Sequence, residues 1–344
     1  MRNGGITVRR KRKKRVWFWL SFWSLLAVLA PALSIAYVSW EYLHPPKKPL
    51  SVTPMAFHLD YQDVSFHSRG EDVTLKGWLV QSKEQSRRIV IFAHGYSENR
   101  ASANVALHMA HVLHLRGIAS LMFDFRGAGE SDGKMTSLGY FERSDLLGAI
   151  DYAKSLGYRH IGLVGFSMGA STALNVAPDV PEVQAVIADS AFTNLSQYLE
   201  GNLPNLHPLA ELEFMPKLAM WETSLLTGIE PETVQPIASI QKLRDRGVFL
   251  IHAAGDDIIP ASESKQLYTA SGSMNTLLWV SPAQKHVGTY RTATNEYLVR
   301  TSSFLAYHLN KELDDSQVVE HMMPNDVVTK VRLATVLSEK QSAW

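Results

Sequence analysis

Cysteine is absent from all 344 residues. Disulfides, thiolate metal sites and cysteine nucleophiles are therefore excluded. Acidic residues are absent from the first fifteen positions, which hold eight basic ones, seven of them consecutive from Arg9 to Arg15. The whole chain carries a net charge of +1, so the remainder carries −7. Charge of either sign, and histidine, is absent from the 25 residues Val16 to Trp40. Because that apolar run follows it, the basic block does not read as a nucleic-acid surface. No glycine-rich loop ends in Gly-Lys-Ser or Gly-Lys-Thr, which excludes a nucleotide P-loop. No metal or cofactor motif is present, so neither is expected. What remains is 46% apolar and 19% charged, within the range of a folded chain. The length suits one large domain with appendages.

About 20 apolar residues cross a bilayer, so residues 16–40 predict a transmembrane anchor. Trp17, Trp19 and Trp23 near one end, with Tyr37 and Trp40 near the other, suit the two interfaces. The basic segment 1–15 puts the N-terminus in the cytoplasm and the following domain outside. A cleaved signal peptide is the rival reading, with Ser34-x-Ala36 as its cleavage site. The run exceeds the usual apolar region of about 7–15 residues, and Pro31 disfavours cleavage after Ala30. A retained anchor is preferred. Residues 41–62, with His44-Pro45-Pro46-Lys47-Lys48-Pro49, read as an extended proline-rich linker.

Beyond the linker, segments of strand length alternate with helical ones. Asp63–Ser68 and Val73–Val80 predict an antiparallel pair joined at Arg69-Gly70-Glu71-Asp72. Further strands are expected at Arg88–Ala93, Ile118–Phe123, His160–Gly165, Val183–Ala188, Val248–His252 and Thr276–Val280. The continuously apolar character of Arg88–Ala93 fits a sheet covered on both faces. Helices are expected at 100–116, 138–156, 167–177, 261–271 and about 288–309. Residues 191–236 break this rhythm with five prolines among apolar clusters such as Phe214-Met215 and Leu218-Ala219-Met220-Trp221. They read as a cap insertion over an apolar acyl or alkyl pocket, or alternatively as a helical connection with no substrate contact. The charged tail 311–344 has a short amphipathic stretch, Val327–Leu337, with no functional reading.

The chemistry is carried by Gly165-Phe166-Ser167-Met168-Gly169, entered by a strand and left by a helix. Such a turn holds a serine above the sheet in a strained backbone conformation, and a side chain at Gly165 or Gly169 would clash. Upstream, Ala93-His94-Gly95-Tyr96-Ser97 ends the third strand, where a second oxyanion donor is expected. The backbone N–H groups of Tyr96 and Met168 are the candidates, with His94 a turn-fixing side chain. Asp124-Phe125-Arg126-Gly127-Ala128-Gly129-Glu130-Ser131 follows the next strand. Asp124 and Arg126 are expected to organise that loop as a charge-assisted pair, and Asp145 to anchor a neighbouring loop. Asp256, in Asp256-Asp257-Ile258-Ile259-Pro260, is preferred as the orienting acid over adjacent Asp257 and over Asp189. His286, after the last strand, is the expected general base.

These features stand in the order Ser, Asp, His, and together they resemble the α/β-hydrolase superfamily over residues 63 to about 310. The basic N-terminus, single anchor, Pro-Pro linker and Gly-Phe-Ser-Met-Gly-Ala-Ser elbow resemble its membrane-anchored bacterial branch, similar to BAAT/acyl-CoA thioesterase-like and dienelactone-hydrolase-like sequences. The resemblance implies a mostly parallel eight-stranded sheet flanked by helices. It implies Ser167 as nucleophile, His286 as base, Asp256 as orienter, and Gly95 among the residues shaping the oxyanion loop. Lys285 departs from the glycine often found before the histidine. It is expected either to expose the base loop or to alter the histidine's acidity.

Acyl transfer to water is the implied reaction, with activity falling below about pH 6–7 as a histidine base is protonated. A serine nucleophile argues against dehalogenase or epoxide hydrolase chemistry. Among acyl donors, an extracellular site disfavours acyl-CoA, and the lack of a propeller disfavours peptides, so an esterase leads. A thioesterase, a peptidase, a membrane-surface lipase suggested by residues 214–221, and a non-catalytic binding protein on the same fold are the alternatives. A small-molecule or lipid-like acyl substrate and a membrane are the expected partners, with no nucleic acid. The oligomeric state is left open.

Overall fold

The computed structural model describes residues 5–82, 86–206 and 214–310. The expected tail 311–344, the first residues of the basic segment and Pro208 of the insertion lie outside them. Helix α1 spans Gly5–Leu43. Its stretch Arg15–Leu43 is long and apolar enough to cross a membrane. The described chain falls into two compact units. One holds α1 and the segment Leu199–Ile229, and the other holds the chain from Pro45 to Tyr198 and from Glu230 on.

The larger unit is built on eight strands: β1 (Gln62–His67), β2 (Thr74–Val80), β3 (Arg88–Ala93), β4 (Ala119–Phe123), β5 (His160–Phe166), β6 (Val183–Asp189), β7 (Gly247–Ala253) and β8 (Thr276–Ser281). They lie in the order β1-β2-β4-β3-β5-β6-β7-β8. β2 pairs antiparallel with β1 and β4, and the remaining pairs are parallel. Among the described residues, β1 and β8 are thus the edge strands of the sheet. The central strands are buried along nearly their whole length, as a parallel sheet covered on both faces demands.

The helices of this unit are α2 (Val105–Leu115), α3 (Glu142–Ser155), α4 (Met168–Val176), the start of α5 (Leu195–Leu206), α7 (Pro236–Ile240), α8 (Ser262–Ser271), α9 (Thr289–Thr292) and α10 (Thr294–His308). Between α5 and α7, α6 (Met215–Thr227) belongs to the smaller unit. α2 packs against α10, while α3, α4, α7 and α8 pack in sequence on one another. Right-handed crossovers put these two groups on opposite faces. From β3 the chain moves to β4 on one side, then crosses back through α3 to β5 on the other. That reversal opens a crevice at the carboxyl ends of β3 and β5, the place where open α/β sheets hold ligands. Register sharpens the point: Ala93, Gly165, Ala188 and Leu250 form one row across the sheet. His94-Gly95 and Phe166-Ser167 are the next residues out.

Candidate active site

Ser167 sits between β5 and α4 with φ 53° and ψ −118°. Its N–H donates to Asp189 O at 2.8 Å, which locks the turn to β6. Two glycines make the turn possible. A Cβ on Gly169 would lie 2.1 Å from Ala93 O, and one on Gly165 would lie 2.3 Å from Gly169 O. The serine hydroxyl is 2.7 Å from His286 Nε2. His286 Nδ1 is 2.8 and 3.0 Å from the two carboxylate oxygens of Asp256. A carboxylate only accepts, so the proton of neutral His286 is on Nδ1 and Nε2 is free to accept from the serine.

The Asp256 side chain is fully buried. Its Oδ1 also accepts the N–H groups of Ile258 and Ile259, both at 2.9 Å. Burial alone would raise its carboxyl. Hydrogen bonds from His252, His286 and the Ile259 N–H outweigh burial and hold it below the usual carboxylate range. Asp257 is turned to other work. It pairs with Lys285 Nζ at 2.6 Å and accepts the His286 N–H at 3.3 Å. Lys285 therefore fastens the histidine loop from outside, at a bend where Val287 has φ 51°.

His252 gave no signal in the sequence motifs. It lies in the buried strand β7, and its Nε2 is 2.8 Å from Ile259 O and 3.3 Å from Asp256 Oδ2. Nε2 must carry the proton to meet a carbonyl, and Nδ1 is 2.7 Å from Ser264 Oγ. A histidine inside an otherwise apolar strand, four residues before Asp256, was the available clue. On the neighbouring strand Asp189 receives Tyr297 OH and Ser190 Oγ, each at 3.0 Å.

On the other side of Ser167, a Cβ on Gly95 would lie 3.5 Å from Ser167 Cβ. The backbone leading to Tyr96 thus passes beside the serine. Met168 opens α4, where first-turn N–H groups lack intrahelical partners. His94 ties two loops together: Nε2 accepts from Phe125 N–H at 3.0 Å, and Nδ1 donates to Gly95 O at 2.8 Å. Burial lowers its pKa below the ordinary imidazole value, consistent with a neutral ring.

The expected Asp124–Arg126 pair is not formed. Asp124 binds Arg100 through the guanidinium and through the Arg100 N–H, the latter at 2.8 Å. Arg126 turns away to Asp145 (2.8 Å), Glu71 (2.9 Å) and Ser68 (3.0 Å). The glycine-rich loop explains the division. It wraps Asp124 so closely that a Cβ on Gly129 would strike its carboxylate at 2.1 Å, while the Arg126 guanidinium is taken by Asp145 and Glu71. Asp145 also accepts the Arg126 N–H at 3.0 Å, so α3 holds this loop.

Residues 84–236 match the family described as serine aminopeptidase S33. An uncharacterized protein of Bacillus subtilis, YqkD, is 30% identical over 236 residues, covering 67% of this chain and 75% of that protein. This sheet order, elbow and kinship decide the matter. The chain belongs to the α/β-hydrolase superfamily. Human protein ABHD12B is 31% identical over 208 residues, or 58% of this chain, which spans about half (55%) of that protein. Among solved structures, the Pyrococcus furiosus esterase Pf2001 is similar at 26% identity with a TM-score of 0.64, covering 78% of this chain and 99% of its own. The α/β-hydrolase fold and the hydrolase class follow for this chain.

Proposed function

We propose that the protein is a membrane-anchored serine hydrolase that cleaves carboxylic esters through an acyl-enzyme. The observation that carries this reading is the unbroken line of hydrogen bonds from Ser167 through His286 to Asp256. Ser167 Oγ attacks the carbonyl carbon as His286 Nε2 takes its proton. Asp256 keeps the imidazole in the required tautomer and stabilises its charged form. The tetrahedral oxyanion is received by the N–H groups of Tyr96 and Met168, each worth ~3 kcal/mol. Collapse breaks the bond to the alcohol oxygen, which leaves with the proton from His286. Water then repeats the cycle on the acyl-serine.

Ester rather than peptide cleavage is supported by the surrounding charges. An aminopeptidase asks for a carboxylate free to receive the terminal ammonium. Glu98, beside Gly95, is paired with Lys48 at 2.9 Å, and Asp257 is paired with Lys285. Likeness to an esterase covering nearly the whole of that chain points the same way. The anchor reading is supported by the apolar stretch Arg15–Leu43 of α1 and by the basic run Arg9–Arg15 that leads into it.

Labelling of the purified full-length protein with a fluorophosphonate tests the reading. Wild type is expected to label, and Ser167→Ala and His286→Ala are expected to abolish it. A folded wild-type enzyme that stays unlabelled would sink the proposal in favour of a binding role. A labelled enzyme that turns over peptides but not esters would overturn the substrate class.

A further inference from the structure

In the smaller unit, α6 has two apolar faces. One is packed: Met215 and Ala219 join Leu199 and Leu203 of α5 in a small core. The other is open. Phe214, which caps the helix in helical conformation, and Leu218, Trp221 and Leu225 are 36–69% exposed. At about 100° per residue these four fall within an arc of roughly 60°. No charged residue lies in that arc; Lys217 and Glu222 flank it. A water-facing helix normally turns polar residues outward, so this stripe calls for a partner.

The unit itself indicates which partner. α6 packs against α1, the helix long and apolar enough to span a bilayer. From Arg15 to Leu26 every residue of α1 is exposed, whereas Ser34, Val38, Tyr42 and Leu43 are partly or fully covered. The covered part is the end with Tyr37 and Trp40, the aromatic pair suited to the outer interface. A helix fixed beside a membrane-crossing helix is held at the membrane. A face of Phe, Leu and Trp suits insertion about 5–10 Å into the headgroup and acyl boundary.

We propose that the Phe214–Leu218–Trp221–Leu225 face of α6 is a second, interfacial membrane contact, seated in the lipid surface that α1 crosses. It rests on reading α1 as an anchor, and the experiment separates the two.

The absence of cysteine allows a single spin label at any position of the full-length protein. Leu218→Cys and Leu225→Cys report the stripe, Ser24→Cys reports α1, and exposed Glu232→Cys reports water. Each labelled protein is reconstituted in phosphatidylcholine vesicles. Its relaxation by oxygen, which concentrates in lipid, is compared with that by a water-soluble nickel chelate. Positions 24, 218 and 225 are expected to favour oxygen, with position 232 favouring nickel. Position 24 in lipid with 218 and 225 in water overturns the α6 contact and leaves the anchor standing. Position 24 in water removes the anchor, and the contact with it. Immobile labels at 218 and 225, shielded from both reagents, mean that protein covers the stripe, which also overturns the proposal.

Discussion

Two carboxylates stand at the same end of the sheet, and their neighbours set them apart. Asp256 is held ionised by histidine and N–H donors. It contributes stability above the ordinary carboxylate range and loses it as the pH falls. Among the described residues, Asp189 is hydrogen-bonded by two hydroxyls and by no cation. Burial pushes it up to about 6, against the lowering effect of Tyr297 and Ser190. A carboxyl raised in the fold keeps its proton while the unfolded chain has lost its own, so stability falls as pH rises from about 4 to 6 and the cost persists above. Asp189→Asn should therefore gain on the order of 1–3 kcal/mol at pH 7.5 and nothing at pH 4. Paired denaturant titrations at the two pH values check this; an equal gain at both would refute the charge argument. Ser167, Asp256 and His286 could be picked out because each sits in a short local motif, and the structure brings their side chains within hydrogen-bond distance of one another. Arg100 and Tyr297 were not readable, because their partners lie 24 to 108 residues away, and His252 was not, because it sits in a strand with no motif around it although its partner Asp256 is only four residues on.

Elements differ from expectation where a side chain claims the backbone. A helix was expected from 138, yet α3 begins at Glu142. The buried Glu142 carboxylate accepts the N–H groups of Ser137 and Gly139 and the hydroxyls of Thr136 and Ser137. The preceding residues curl around it instead of continuing the helix. The last helix, expected as one, is broken at Ala293 into α9 and α10. The elbow gives the sharpest test at this scale. Because Gly169 meets the backbone of Ala93 and His94 rather than a movable side chain, Gly169→Ala must part α4 from β3. Overpacking of this kind costs roughly 1–3 kcal/mol or more, so a lower Tm and weaker fluorophosphonate labelling are expected. Gly201→Ala on α5, where a Cβ meets nothing within 4 Å, should leave both unchanged or slightly improved. An elbow variant as stable and as reactive as wild type would mean that the contact is slack.

Across the whole molecule, alternating strands and helices announced an α/β sheet, and its buried strands announced cover on both faces. The order of the strands was not legible, since no local pattern records which strand lies beside which. Division into two units was legible only in part, because α5 and α6 share a core through Leu199, Leu203 and Met215 that no single segment displays. An open sheet also has two ends, and here they are unlike. β1 shows Gln62, Asp63, Ser65 and His67 to solvent, a polar border that discourages pairing with another chain. β8 reads Thr276-Leu277-Leu278-Trp279-Val280-Ser281, with no charge, proline or glycine, and Leu277 is 40% exposed. Arg300 lies over Trp279 at 4.7 Å and is the nearest thing to a gatekeeper. Six residues of that kind are a template for intermolecular strand addition, so heat-induced aggregation should start at β8. Leu277→Lys is expected to delay light scattering on heating without moving the unfolding midpoint; unchanged scattering would place the nucleus of aggregation elsewhere.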